Sequence, residues 1–314
     1  MKKILSTILT TVLLTCSMST ASADAINLIV PRAPGGGADI VARIVTEKMA
    51  PGGDPIIVLN KPGADGLVGA NMAAAAVPNG KTLFFGSLSD NVMLPLFKTP
   101  NLKFDENTFI PIAYIGSQPA VLTASLNFPA NNFKEFLSVI KDKSKTYPVG
   151  SFSKTSDLHA SILFGLAGIT PEIVSYKGDA PMLMDMANNS LPLGLNSLAG
   201  SKEFAKAKKI KYIAIFSKNR QKDFPDVGTV AEYNGWTGGF WYGIFAPPGT
   251  PPNVVKELHQ YFNAAINDPG VKEKLENNGI TVKTTTQEEF VKFYQTEFDT
   301  FKPIVNSMSK VEKY

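Results

Sequence analysis

The sequence predicts an α/β protein of two lobes joined by two crossing strands. Three observations lead there. Short apolar strands alternate with glycine-rich turns and helical stretches from residue 25 onward. That pattern restarts near residue 120. After a proline-rich turn at 247–252 the remaining pattern is helical. Strand–loop–helix repetition at this spacing builds parallel βαβ units rather than an all-β or all-α fold.

Residues 1–23 stand apart. Lys2 and Lys3 precede a short apolar run, Ile4 to Leu14, and Ala21-Ser22-Ala23 supplies a small-x-small cleavage pattern. Together these predict a signal peptide. The apolar run is too short for a membrane span, which takes about 20 residues. Cys16, the only cysteine, lies inside this leader. Thr15 fits a lipoprotein box poorly, so cleavage after Ala23 is favoured over a lipid anchor at Cys16. The mature chain then lacks disulfide and thiolate chemistry.

The first lobe is predicted over 24–122. A strand at Ala25–Pro31 meets the turn Pro34-Gly35-Gly36-Gly37. A helix follows, with Ile40, Val41, Ile44, Val45 and Met49 on one face. A second strand, Pro55–Leu59, leads through Pro62–Gly66 into a small-residue helix, Leu67–Ala76. Thr82–Gly86 is a third strand.

The second lobe is predicted over 123–242. Ala120–Ala124 crosses into it. Helices are expected at Phe133–Ile140, Asp157–Leu166 and Ala180–Asn188. Strands are expected at Tyr147–Gly150, Glu172–Ser175, Leu191–Leu195 and Tyr212–Phe216. The lysine-rich run 206–211 reads as a solvated helix end. Tyr242–Ala246 is the second crossing strand. The chain then returns over 243–314 to cover the first lobe with helices at Asn253–Asn267 and from Gln287 to about Lys302. Two lobes on two crossings can close like a hinge around a ligand.

Composition agrees: 314 residues, 44% hydrophobic and 18% charged, suit two cores. The net charge of +4 is small and the basic residues are scattered, which argues against a nucleic-acid partner.

In open α/β sheets ligands sit beyond the carboxyl ends of the strands. The loops there are 32–38, 61–66 and 86–91 in the first lobe, and 150–157, 176–179 and 196–199 in the second. Their chemistry is anion binding. Gly35, Gly36, Gly37 and Gly66 let a carboxylate approach backbone N–H groups at a helix start. Arg32 offers a charge-assisted contact. Ser87, Ser89, Ser151, Thr155, Ser156 and Asn196 offer polar side chains, and Asp39 and Asp179 lie in first helical turns. Each has a structural alternative: tight turns for the glycines, a cap for Ser156, an i,i+4 pair for Asp39 with Arg43. Trp241 and Tyr242 read as packing residues.

Enzyme readings fare worse. His159 and His259 are the only histidines, and a lone histidine makes neither a metal site nor a triad. No G-x-S-x-G elbow or Walker lysine is present. No catalytic residue, metal or cofactor is expected.

Five linked motifs carry a resemblance. They are Pro31-Arg-Ala-Pro-Gly-Gly-Gly-Ala-Asp39, Asn60-Lys-Pro-Gly-Ala-Asp-Gly66, Pro78-Asn-Gly80-Lys-Thr82, Ser175-Tyr-Lys-Gly-Asp179-Ala-Pro181 and Trp241-Tyr-Gly-Ile-Phe-Ala-Pro247-Pro-Gly249. In this order they resemble the Bug-type substrate-binding proteins of tripartite tricarboxylate transporters. The resemblance implies a periplasmic-binding-protein (Venus flytrap) fold in the periplasm, monomeric, holding a small carboxylate between its lobes. It implies delivery to one large and one small membrane subunit, or presentation of the ligand to a sensor kinase or chemoreceptor. Arg32, where relatives usually have an aromatic residue, departs from the family pattern and suggests a more strongly anionic ligand or a second carboxylate. Asp65, where they have a small residue, would repel an acid if it points inward.

Overall fold

The computed structural model describes residues 25–49, 55–142 and 144–311, with side chains described to residue 306. The expected signal peptide and Cys16 lie outside the described residues. Among these residues no helix is long and apolar enough to cross a membrane.

The strands are β1 Ile26–Val30, β2 Ile56–Asn60, β3 Thr82–Ser87, β4 Ile110–Ala124, β5 Val149–Ser151, β6 Ile173–Ser175, β7 Leu193–Ser197, β8 Lys211–Ile215, β9 Gly239–Ala246 and β10 Thr281–Val282. The helices are α1 Gly37–Thr46, α2 Leu67–Ala74, α3 Leu94–Leu96, α4 Phe133–Ile140, α5 Lys154–Gly165, α6 Asp179–Ala187, α7 Leu198–Lys206, α8 Ala231–Asn234, α9 Pro252–Ile266, α10 Pro269–Asn277 and α11 Gln287–Val311. A short 3-10 turn, Ala64–Gly66, precedes α2, and a π-helical turn, Leu88–Met93, precedes α3.

The βαβ expectation is met in both halves. β1 pairs in parallel with β2 and β3, and β5 with β6 and β7. Antiparallel strands close both sheets. β9 lies between β3 and β4 in the first, and β4 pairs with β7 and β8 in the second.

β4 belongs to both sheets. Residues 110–119 pair with β9, and 120–124 pair with β7 and β8. Only its far end was legible as strand, because Pro111, Gly116 and Pro119 interrupt the pattern. Bulges at 111–113 and 114–116 absorb the irregularity. At the change of sheet, Ala120 N donates to Gly238 O at 3.1 Å and Ala120 O accepts from Phe216 N at 2.9 Å. Gly238 N donates to Phe216 O at 3.0 Å. The sheet therefore changes at 119–120 on the way out and at 238–239 on the return, against sequence-based boundaries of 122–123 and 242–243. All of β9 pairs within the first sheet, which draws the return boundary upstream.

The C-terminal helices pack on the first sheet. His259 Nδ1 lies 2.7 Å from Ile112 O, so this histidine is a packed residue. Trp241 Nε1 donates to Glu297 on α11 at 2.7 Å. A large aromatic cluster, including Phe84, Phe109, Phe245, Phe290 and Tyr294, fills the space beneath. Burying one such ring contributes roughly 1.5–3 kcal/mol.

Candidate functional site

The carboxyl ends of β1 and β3 face those of β5, β6 and β7 across a cleft, and the loops that follow them meet. Ala33 N donates to Lys177 O at 2.9 Å across the lobes. Gly36 lies against the amide of Asp179, where an added Cβ would sit at 3.4 Å. Gly37 allows the closest approach: a Cβ there would overlap Ser197 Oγ.

Asp39 fastens the glycine turn from below. Its carboxylate accepts from Gly35 N at 2.9 Å, Asn60 Nδ2 at 2.9 Å and Arg43 Nε at 3.0 Å. Burial alone would raise its pKa, but these hydrogen bonds outweigh it and hold the carboxyl below its ordinary range. Gly35 adopts φ 79°, a left-handed turn suited to glycine. Asp39 is therefore already committed to its own loop.

Arg32 is buried beside an acid on its own lobe. Nη2 lies 2.9 Å from Asp90 Oδ1, and Nη1 donates to Pro31 O at 2.8 Å. The ion pair is close but poorly aligned, since Asp90 Oδ1 receives no well-directed hydrogen bond; the contact is chiefly Coulombic. Ser87 Oγ donates to Asp90 Oδ2 at 2.6 Å. Burial pushes the Asp90 carboxyl up, against the pull of Arg32. Gly66, at φ 100°, leaves the room this pair needs: a Cβ would overlap both Arg32 Nη1 and Asp90 Oδ1. From the second lobe Phe152 presents its ring, with the centroid 6.0 Å from Arg32 Cζ.

The second-lobe loops supply hydroxyls and one acid. Ser153, not Ser156, caps α5: Ser156 N donates to Ser153 Oγ at 3.2 Å. The helix thus starts earlier than predicted. Ser151 Oγ donates to Ser153 O at 3.1 Å. Asp179 is fully enclosed and accepts from Ser197 Oγ and, at 3.4 Å, from Ser197 N. Burial pushes its carboxyl up to about 6. Asn196 points the other way, toward Thr123 and Met186 inside the second lobe. Its neighbour Ser197 reaches the cleft instead, as strand alternation requires.

Two buried hydroxyls at this junction have no hydrogen-bond partner among the described residues. They are Ser89 Oγ on the π-helical turn and Thr155 Oγ1 in the first turn of α5. These two elements pack against each other across the lobes. Buried polar atoms are normally satisfied, so such a pair marks a place for a polar guest.

A cavity of about 310 Å³ opens between the lobes here. Arg32, Gly63, Asp65 and Gly66 line one wall, and Phe152 and Tyr176 the other. A larger cavity, about 460 Å³, lies behind the hinge between Gln118, Phe216, Gly238, Trp241 and Glu297. Arg32 and the glycine turn 63–66 line the smaller cavity and not the larger one, so the smaller cavity is the candidate site.

Sequence reasoning missed Asp90 and Gln118. Gln118 Nε2 donates to Tyr242 OH at 2.8 Å and its Oε1 accepts from Ala199 N at 2.7 Å, tying β4 and β9 to the start of α7. Its place in the 110–119 segment, not legible as strand, hid it. His159 sits under the hinge among Phe216, Trp236 and Phe240, where burial lowers its pKa to about 3. Among the described residues no group of three or more His, Cys, Asp or Glu side chains is placed to hold a metal ion.

A two-lobed α/β molecule with facing glycine turns has the architecture of the Venus-flytrap solute-binding proteins. Residues 41–309 match the family model of the tripartite tricarboxylate transporter family receptors, and the chain belongs to that family. It is 32% identical to a UPF0065 protein of Bordetella pertussis, over 95% of each chain. MatC of Rhodopseudomonas palustris, solved with bound malate, superposes with a TM-score of 0.84 at 27% identity, covering 90% of this chain and 98% of that one. The periplasmic binding protein BugD superposes equally well, at 0.84 and 27% identity, covering 90% and 97%. The family and these neighbours are binding proteins rather than enzymes.

Proposed function

We propose that this protein captures a small carboxylate in the periplasm, between its two lobes, and delivers it to the large and small membrane subunits of a tripartite transporter. The observation that carries this reading is the junction between the lobes. Arg32, the glycine turn 63–66 and Phe152 line the cavity between the lobes. The glycine turn 35–37, the start of α5 and two unpartnered hydroxyls lie in the lobe contacts around it. Backbone N–H groups at helix starts suit a carboxylate. The malate held by a structural neighbour of 27% identity supports the same ligand chemistry.

Native mass spectrometry of freshly purified protein tests the reading. A retained small acid, released on mild unfolding, is the expected result. Thermal melts with a carboxylate panel provide the second test. A ligand at 100 times its Kd stabilises by about 2.7 kcal/mol. A panel of mono-, di- and tricarboxylates that shifts nothing would overturn it.

A further inference from the structure

We infer that this receptor selects ligands with a single carboxylate and a neutral or cationic polar end, and that Asp90 sets this preference. The inference rests on the carboxylate reading above and concerns which carboxylates enter.

The charges of the cleft are mostly answered already. Arg32 is the buried cation of the cavity wall, and its charge is balanced by Asp90. Lys154, at the first turn of α5, lies 3.0 Å from Asp65 and 2.9 Å from Asp157, so two acids share it. Asp39 is answered by Arg43. Asp179, enclosed beside the glycine turn, has no salt-bridge partner among the described residues. Lys177 adds a cation at the mouth of the cavity, but it is exposed and screened by water. Inside the cleft, acids therefore outnumber the cations that answer them.

One ligand carboxylate can be met by backbone amides and hydroxyls, which carry no net charge. A second carboxylate would be desolvated at a wall where Arg32 is already paired with Asp90, with no unanswered buried cation among the described residues to receive it. Burying a charge without a partner is costly. An amide or hydroxyl group faces no such penalty, and an ammonium group would meet acids that can pair with it rather than cations that repel it. Arg32, read from sequence alone as a mark of a more anionic ligand, has the opposite meaning once Asp90 is beside it. Gly66 makes the pairing possible, since any side chain at that position would drive the two apart.

The test is isothermal titration calorimetry with matched ligands. Succinate, glutarate and adipate are compared with their monoamides and with the ω-amino acids of equal chain length. Carboxylate and carboxamide have nearly the same shape, so their ratio reports charge. The expected result is that the best-binding chain length favours the monoamide or amino acid over the diacid by about tenfold or more, equivalent to about 1.4 kcal/mol. Asp90→Asn, which leaves Arg32 unbalanced, should reduce or invert that ratio. Asp179→Asn is a second variant expected to move it the same way. A wild-type preference for the diacid overturns the inference and leaves the carboxylate reading intact. An unchanged ratio in both variants overturns the role of these acids. If no compound binds, while the purified protein retains a ligand without a carboxylate, the underlying reading fails and this inference with it.

Discussion

Asp65 and Lys154 meet across the cleft, carboxylate to ammonium at 3.0 Å, one on each lobe. Asp65 adopts φ 56°, a left-handed conformation that asparagine also tolerates. Asp65→Asn therefore removes the charge with little backbone penalty. Both side chains are partly exposed, and such pairs contribute up to about 1 kcal/mol. The variant should weaken ligand binding by roughly fivefold at low salt, with the difference shrinking as ionic strength rises. Calorimetry at two salt concentrations checks this; an equal effect at both would show that the latch is not electrostatic.

Gly36 and Gly37 give a matched pair of variants. A Cβ at Gly37 overlaps Ser197 Oγ on the opposite lobe, while one at Gly36 comes no closer than 3.4 Å to Asp179 N. Gly37→Ala should block full closure and weaken binding by about 100-fold, an effect of roughly 2.7 kcal/mol. Gly36→Ala should stay within a few-fold of wild type. Both should melt near wild type without ligand. Equal affinities for the two variants would show that these loops do not close in solution.

Asp179 predicts a pH dependence of stability. Its carboxyl titrates at about 6 in the folded chain against 3.8 for an unperturbed aspartate, so the native state holds this proton more tightly than the unfolded chain does. Stability from this group is present below about pH 4 and is lost as pH rises through about 6. The loss is on the order of 3 kcal/mol. Asp179→Asn should flatten the slope across this window in urea titrations and raise stability at neutral pH. Parallel pH profiles for wild type and variant would rule this out. Asp39 acts oppositely, with a lowered pKa, so its contribution is lost as the solution becomes acidic.

Arg32 and Asp90 should be coupled. Removing one partner of a buried pair costs about 3–5 kcal/mol, because the other charge is left unanswered. Arg32→Met and Asp90→Leu should each destabilise on that scale, while the double variant should lose clearly less than the two losses added together. Denaturant curves of all four proteins complete the cycle. Additive losses would mean that the charges do not interact.

Much of this was legible in the sequence, for local reasons. α1, α4 and α9 and the first three strands show their own periodicity and punctuation, so their limits fall within a residue or a few of the expected ones. Four helices went unread, and α3 and α8 are too short to show a periodicity. α7 carries small and polar residues without a clear stripe. α10 had a signal, Asp268 as cap and Pro269 in the first turn, that was there to be used. In the cleft, residue types pointed to the right loops, but partners did not follow. Three nearby hydroxyls at 153–156 cannot be ranked as caps without the backbone. The choice of Asp90 as the partner of Arg32 is made by tertiary packing around Gly66, which leaves no trace in local spacing.

The shared strand β4 has a consequence for how the molecule unfolds. Its first ten residues are stitched into one core and its last five into the other, with β9, β7 and β8 bonded along its length. Neither half can melt without fraying a ladder the other depends on. The lobes should therefore denature as a single cooperative unit, one calorimetric peak rather than two.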